Sequence, residues 1–447
     1  MVKKVLIGCG VAAVLLVALA VVTIAVGRKL VERHVESSAA TPLPPAPGGT
    51  QKPGDTQDGF LYGRVTTVDG ATYEGRLRFG GDEEAAWGDY FNGNKKANPW
   101  VAYLPPEKVP RDHESFEIFG WKLGSRDKEV DLGRLFMARF GDIARIDSSG
   151  RDVKVTLKSG SVFDLKRMDA SDFDDGLRVW DATRGVVDLD SLRIRTIELL
   201  PTPPLADTPY RLQGTVHTSR GEFTGFIQWN RQQGLGTDEL TGQSAEGDVR
   251  LRLDSIRSVA RRQDNSAAVV MLFDGREIEL SRGYGGLGTY VDDRRYGRVL
   301  VPWHAVERID FSPGGSGPAY GDFPTGRPLT GSVTTAAGAH LTGRVVYDLD
   351  ESETTQTLDA PSEGVDYTIP FGLVASILKE RDTPLIKVIL QSGEELRLEP
   401  DGDLGERNAG ILVFIDGGSR SEYVTWSDVE RVDFDRPPAM YPPIGAR

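Results

Sequence analysis

The sequence predicts an all-β protein, an N-terminal transmembrane helix followed by three tandem β-rich repeats. One phrase returns three times: LYGRVTTVDGATYEGRLRF from Leu61, RLQGTVHTSRGEFTGFIQW from Arg211 and LTGSVTTAAGAHLTGRVVY from Leu329. Gly63, Gly214 and Gly331 stand in register, and recurrence at this length marks an architecture of stacked units. Inside the repeats apolar and polar residues alternate, as at Val153, Val155 and Leu157, which is the period of a half-buried strand. Ahead of them, Val5 to Val26 is free of charge for 22 residues, enough to cross a bilayer core at about 1.5 Å per residue.

In chain order, residues 1–36 read as a cytoplasmic tip and single-pass anchor in the cell membrane. The apolar run exceeds the roughly 7–15 residues of a cleavable signal, so an uncleaved anchor is expected. Lys3 and Lys4 favour an inside N-terminus, while Arg28, Lys29 and Arg33 oppose it. The short N-terminal tail and the spacer favour an extracytoplasmic body, periplasmic or at the cell surface. Residues 37–58 form a Pro-rich linker, with Pro42, Pro44, Pro45, Pro47 and Pro53, able to hold the body roughly 60 Å from the anchor. Repeat 1 spans 59–200 with an insertion over 82–139, repeat 2 spans 210–311 and repeat 3 spans 329–435. Linkers are expected at 201–209 and 312–328, and a disordered tail at 436–447.

Each repeat has a middle phrase turned by Gly160, Gly275 or Gly393 and a closing phrase in which Leu189, Trp303 and Trp426 align. Phe79, Trp229 and Tyr347 share another position, and exchange among bulky apolar residues reads as core. Helical period is confined to single turns such as HAVERI and SDVERV, each leading into a strand; IPFGLVASI and LRLDSIRSV place the same device mid-repeat. Each repeat is therefore expected to be a pair of half-units. Strand, glycine turn, strand, then a one-turn helix before the last strand resembles the small barrels of SH3-like and Sm-like proteins. The resemblance implies shape alone. An Sm-like RNA site would want Arg-Gly ahead of the last strand, where this chain has Val301-Pro302 and Ile369-Pro370.

The chain carries a net charge of −13, and residues 1–36 hold five Lys or Arg against two Glu, so the remainder is more acidic still. Such a body repels phosphate backbones, and no nucleic acid partner is expected. The G-x-G-x-x-G match at Gly283 to Gly288 precedes a strand-like segment, so no helix N-terminus cradles a phosphate and no nucleotide is expected. Cys9 lies in the anchor and the five histidines are scattered, which argues against a metal centre. The acidic runs at Asp172 to Asp175 and Asp401 to Asp403 lack the full EF-hand spacing, and no cofactor is expected.

The insertion supplies the candidate partner-binding residues, Trp87, Tyr90, Phe91, Trp100, Tyr103 and Trp121, since loops on rigid barrels carry recognition and aromatic rings anchor interfaces. The competing expectation makes these rings a satellite core. The function that follows is a non-catalytic binding or scaffold body in the envelope, with an envelope protein or a glycan as partner. The alternative is an envelope enzyme that binds or cleaves polysaccharide, drawing acid and base from Asp82, Glu83, Glu84, Asp112 or Glu114. A cleft joining shifted carboxyls to exposed tryptophans would favour it.

Overall fold

The computed structural model describes residues 58–107, 111–118, 121–129, 134–205, 209–262, 264, 266–281, 286–312, 317–380 and 382–437. The expected anchor, nearly all of the first linker and nearly all of the tail lie outside them. No helix of the described residues is long and apolar enough to cross a membrane. Those residues are all-β, with a four-residue α-helix at Ser171–Asp174 and short 3-10 turns.

The first repeat sets the plan. Its strands are β1 (Tyr62–Thr67), β2 (Thr72–Phe79), β3 (Tyr90–Asn94), β4 (Arg111–Ile118), β5 (Trp121–Glu129), β6 (Leu135–Arg139), β7 (Ile143–Ser149), β8 (Asp152–Leu157), β9 (Val162–Lys166), β10 (Leu177–Asp181), β11 (Gly185–Leu189) and β12 (Ile194–Leu200). Eight of them form one antiparallel sheet in the order β11-β10-β2-β1-β12-β7-β8-β9, so strands from the two halves of the repeat interleave. β3 and β6 pair apart from it, touching β9 through the Lys95–Leu165 bridge.

The same order returns twice, from Gln213–Thr218 to Val306–Ser312 and from Thr330–Thr335 to Val429–Phe434. Even the irregularities recur. The register slips at Thr66/Thr67, His217/Thr218 and Thr334/Thr335, and again after Ile143, Ile256 and Val374. Turns of one 3-10 helix stand at Leu253–Ser255, Trp303–Ala305, Phe371–Leu373 and Trp426–Asp428.

The glycines in register have a steric reason. Gly63 faces Gly75, Gly214 faces Gly225 and Gly331 faces Gly343 across the first hairpin of each repeat. A Cβ on Gly75 would stand 2.0 Å from the Trp180 carbonyl oxygen, and one on Gly225 would stand 1.9 Å from that of Asp292. No side chain fits where the curled sheet brings backbone this close.

Three expectations change. The segment after β2 has counterparts in every repeat: Glu239–Ser244 and Gly247–Arg252 match β3 and β6, as do Thr357–Ser362 and Val365–Pro370. The true excursion is therefore 95–134, at the tip of the β3/β6 hairpin, where the other repeats make tight turns. Second, 317–328 is no free spacer. Tyr320 and Phe323 are buried in the core of repeat 1, and the Phe323 ring approaches Gly141 so closely that a Cβ there would lie 2.4 Å away. Third, the strands ending at Leu189, Val301 and Val424 correspond, so Ser191, not Leu189, matches Trp303 and Trp426.

Repeats 2 and 3 share one continuous core, and Val365–Pro370 of repeat 3 adds antiparallel to Gly297–Val301 of repeat 2, making a ten-stranded sheet.

Candidate functional site

The most concentrated polar chemistry lies where the root of the excursion meets repeat 3. In each repeat the chain leaves the second strand through a tight turn, closed by bridges Phe79–Glu83, Trp229–Gln233 and Tyr347–Glu351. In repeat 3 that turn puts Asp348 (φ 49°) and Leu349 (φ 52°) in the left-handed region, which costs a non-glycine residue about 1 kcal/mol or more. The strained turn is the docking point. Arg134 donates to both carboxylate oxygens of Asp348, at 3.1 and 3.0 Å, Lys95 pairs with Asp350, and Asn98 donates to the Leu349 carbonyl at 2.8 Å. Both ends of the excursion are thus tied to one segment.

Between these contacts is a cavity of about 480 Å³, whose wall includes Asp169, Asp348, Glu351, Asp359 and Asp403 against only Lys95 and Arg134. Burial is the first cause that raises the Asp348 carboxyl, to about 6, with Arg134 opposing. Burial, joined by neighbouring carboxylates, pushes Glu351 and Asp403 well above the usual range. Upward shifts of this kind cluster at functional sites and in structural networks alike. No group of three His, Cys, Asp or Glu that could hold a metal ion occurs among the described residues.

A second acidic turn lies in repeat 1. Burial raises Asp82 to about 6, Glu83 to about 9 and Glu84 to about 7, and carboxylates such as Asp89 and Asp172 add to it. Asp89 spends one oxygen on the backbone N–H groups of Glu84 and Ala85, at 2.9 and 2.7 Å, and takes a bond from Gln228 of repeat 2 on the other. Asp238 and Gln356 close the equivalent turns. A cavity of about 490 Å³ opens beside it at Gly80, Gly81, Asp175 and Asp188, and no tryptophan lines it. Asp172 accepts from the Asn92 backbone N–H at 2.6 Å and Asp403 from the Asp359 backbone N–H at 2.7 Å, so both acidic runs pair with strand backbone.

The structure divides the aromatic candidates. Trp87, Tyr90 and Phe91 are buried at 3%, 4% and 0% exposure, which removes them from any outer surface. Phe91 packs edge-on against Phe79 and Phe140, and Trp87 lies 5.9 Å from Phe323. Trp100 and Tyr103 flank Phe414 of repeat 3, at 6.0 and 5.0 Å, with Tyr103 49% exposed. Trp121 starts β5, and its side chain, like those of Asp112 and Glu114, lies outside the described residues. Lys95, Arg134, Asp348 and Asp350 escaped the sequence reading. Their signal was DLDESE from Asp348, more acidic than GGDEEA or NRQQGL at the same turn.

No family model and no curated protein matches this chain. A streptogramin B lyase structure aligns over 78% of this chain and 99% of its own at 10% identity, with a TM-score of 0.12, which carries no argument.

Proposed function

We propose that this is a membrane-anchored, extracytoplasmic binding or scaffold protein, non-catalytic, that displays the 95–134 excursion to an envelope protein or a glycan. Val5 to Val26 is the anchor in this reading, and each repeat is a pair of small SH3-like or Sm-like barrels, one nested in the other. The outer barrel would be β12-β1-β2-β10-β11, with its one-turn helix before β12; the inner would be β7-β8-β9 closed by β3 and β6. The observation that carries the reading is the double clamp, Lys95–Asp350 and Arg134–Asp348, at the two ends of the excursion. Fixing both ends lowers the ordering entropy that a partner must overcome.

The test uses the full-length protein in its native membrane, with a photo-crosslinking residue in place of Tyr103. Its counterpart has 108–131 replaced by a short Gly-Ser turn. An adduct formed only with the intact excursion supports the reading; absence of an adduct from both proteins removes it. Alkaline extraction of the same membranes reports the anchor.

A second reading, polysaccharide cleavage with a protonated Glu83 as general acid, rests on the raised carboxyls of Asp82 and Glu83 alone, since neither they nor a tryptophan line the neighbouring 490 Å³ cavity. Release of reducing ends from envelope polysaccharide by the wild type, lost in Glu83→Gln, would establish it.

A further inference from the structure

A cavity of about 710 Å³ belongs mainly to repeat 3 and is lined by Leu349, Ile386, Leu404, Tyr423 and Trp426, with Leu104 from the excursion. One amine stands in this apolar wall. Lys379 ends the strand Val374–Lys379, its Nζ lies 3.8 Å from the centroid of the Trp426 ring, and it donates to the Trp426 carbonyl. No carboxylate forms an ion pair with it among the described residues. Glu380 points to Lys387 and Arg397, at 3.0 and 2.6 Å, and Asp428 accepts from the Thr425 hydroxyl. Glu406, on the cavity rim, is exposed.

The position is particular to this repeat. Ser148, Arg261 and Lys379 occupy one register, opposite Val153, Ala268 and Ile386. Neither a hydroxyl without a base nor a guanidinium can act as a neutral amine. Burial lowers the Lys379 ammonium from 10.5 to about 8, with Asp428 opposing. Lys158 is lowered to about 8 as well, but it lies 3.5 Å from the Tyr320 ring, donates to that residue's carbonyl, and is not in the wall of this cavity.

We propose that Lys379 is a covalent modification site, an amine nucleophile that takes aldehydes or ketones with an apolar body, seated in the 710 Å³ cavity, as an imine. The Nζ lone pair adds to the carbonyl carbon; both Nζ protons then leave with the carbonyl oxygen as water, and a C=N bond remains. No oxidant or reductant is consumed. The donor bond to the Trp426 carbonyl uses one N–H, and Lys379 is itself part of the cavity wall. At pH 7.5 an amine with a pKa of about 8 is roughly one quarter neutral, against about one thousandth for an ordinary lysine.

The test exposes the full-length protein to benzaldehyde with cyanoborohydride at pH 7.5, and peptide mapping follows adduct growth at every lysine. Formaldehyde serves as a probe without an apolar body. The expected result is benzaldehyde labelling of Lys379 at least 10-fold faster than of any other lysine, with Lys158 matching it only toward formaldehyde. Lys379→Arg, which keeps the cation over the ring, should abolish that adduct and leave the thermal midpoint in place. Even labelling across lysines, or benzaldehyde labelling of Lys158 as fast as Lys379, overturns the proposal.

Discussion

Replacing Glu84 by Gln should leave the protein more stable than wild type at pH 8 and nearly equal at pH 5. Glu84 is 3% exposed, with Arg76 at 3.6 Å and Arg78 at 4.0 Å. Those cations oppose burial without overcoming it, and the carboxyl rises from 4.5 to about 7. A rise of that size corresponds to about 3 kcal/mol. The folded chain holds the proton where the unfolded chain releases it, so this stabilisation is complete below about pH 4 and is lost as pH climbs through about 7. Glutamine resembles the protonated acid at every pH. The stability difference between the two proteins should therefore grow by about 2 kcal/mol from pH 5 to pH 8, by urea unfolding followed through tryptophan fluorescence. A difference that stays flat across this range, or grows in the other direction, would refute the reasoning, because Glu84 would then be ionised throughout.

Other outcomes follow from the same contacts. Gly75→Ala forces a methyl to within 2.0 Å of the Trp180 carbonyl oxygen and should cost about 3 kcal/mol or prevent folding, read as a fall in thermal midpoint and soluble yield. Arg134→Ala leaves Asp348 without its bidentate partner; a loss of about 2 kcal/mol is expected, with faster proteolysis within 95–134 than in wild type. Arg231, exposed at φ 67°, should gain up to about 1 kcal/mol on replacement by glycine, visible as a higher urea midpoint.

Strands, repeats and one-turn helices were legible because each rests on local chemistry: alternation for the strand, glycine where backbones crowd, a fixed phrase for the repeat. Which strands become neighbours is a long-range matter. Nothing local to β2 says that β10, about a hundred residues later, will lie beside it. The excursion was misjudged because Asp82 to Arg139 is aromatic, and aromatic content does not distinguish Phe91, sealed against Phe79, from Tyr103 at the surface. Proline and glycine near 317–328 suggested a spacer, yet Tyr320 donates to the Ile143 carbonyl at 2.7 Å and Phe323 fills the space over Gly141. The acid clusters were invisible for a related reason. Carboxylates are abundant along the chain, and only the fold selects the few that are shut away from water.

The strand that repeat 3 lends to repeat 2 bears on the timing of synthesis. Gly297–Val301 leaves the ribosome well before Val365–Pro370, which covers its outer edge. At roughly 5–20 residues per second, the 64 positions separating Val301 from Val365 take several seconds to make. During that interval the nascent chain presents an uncovered row of amides and carbonyls, open to pairing with a neighbouring chain. A ribosome that stalls between the second and third repeats would therefore release a sticky molecule, and the burden of keeping it apart from its copies would fall on chaperones.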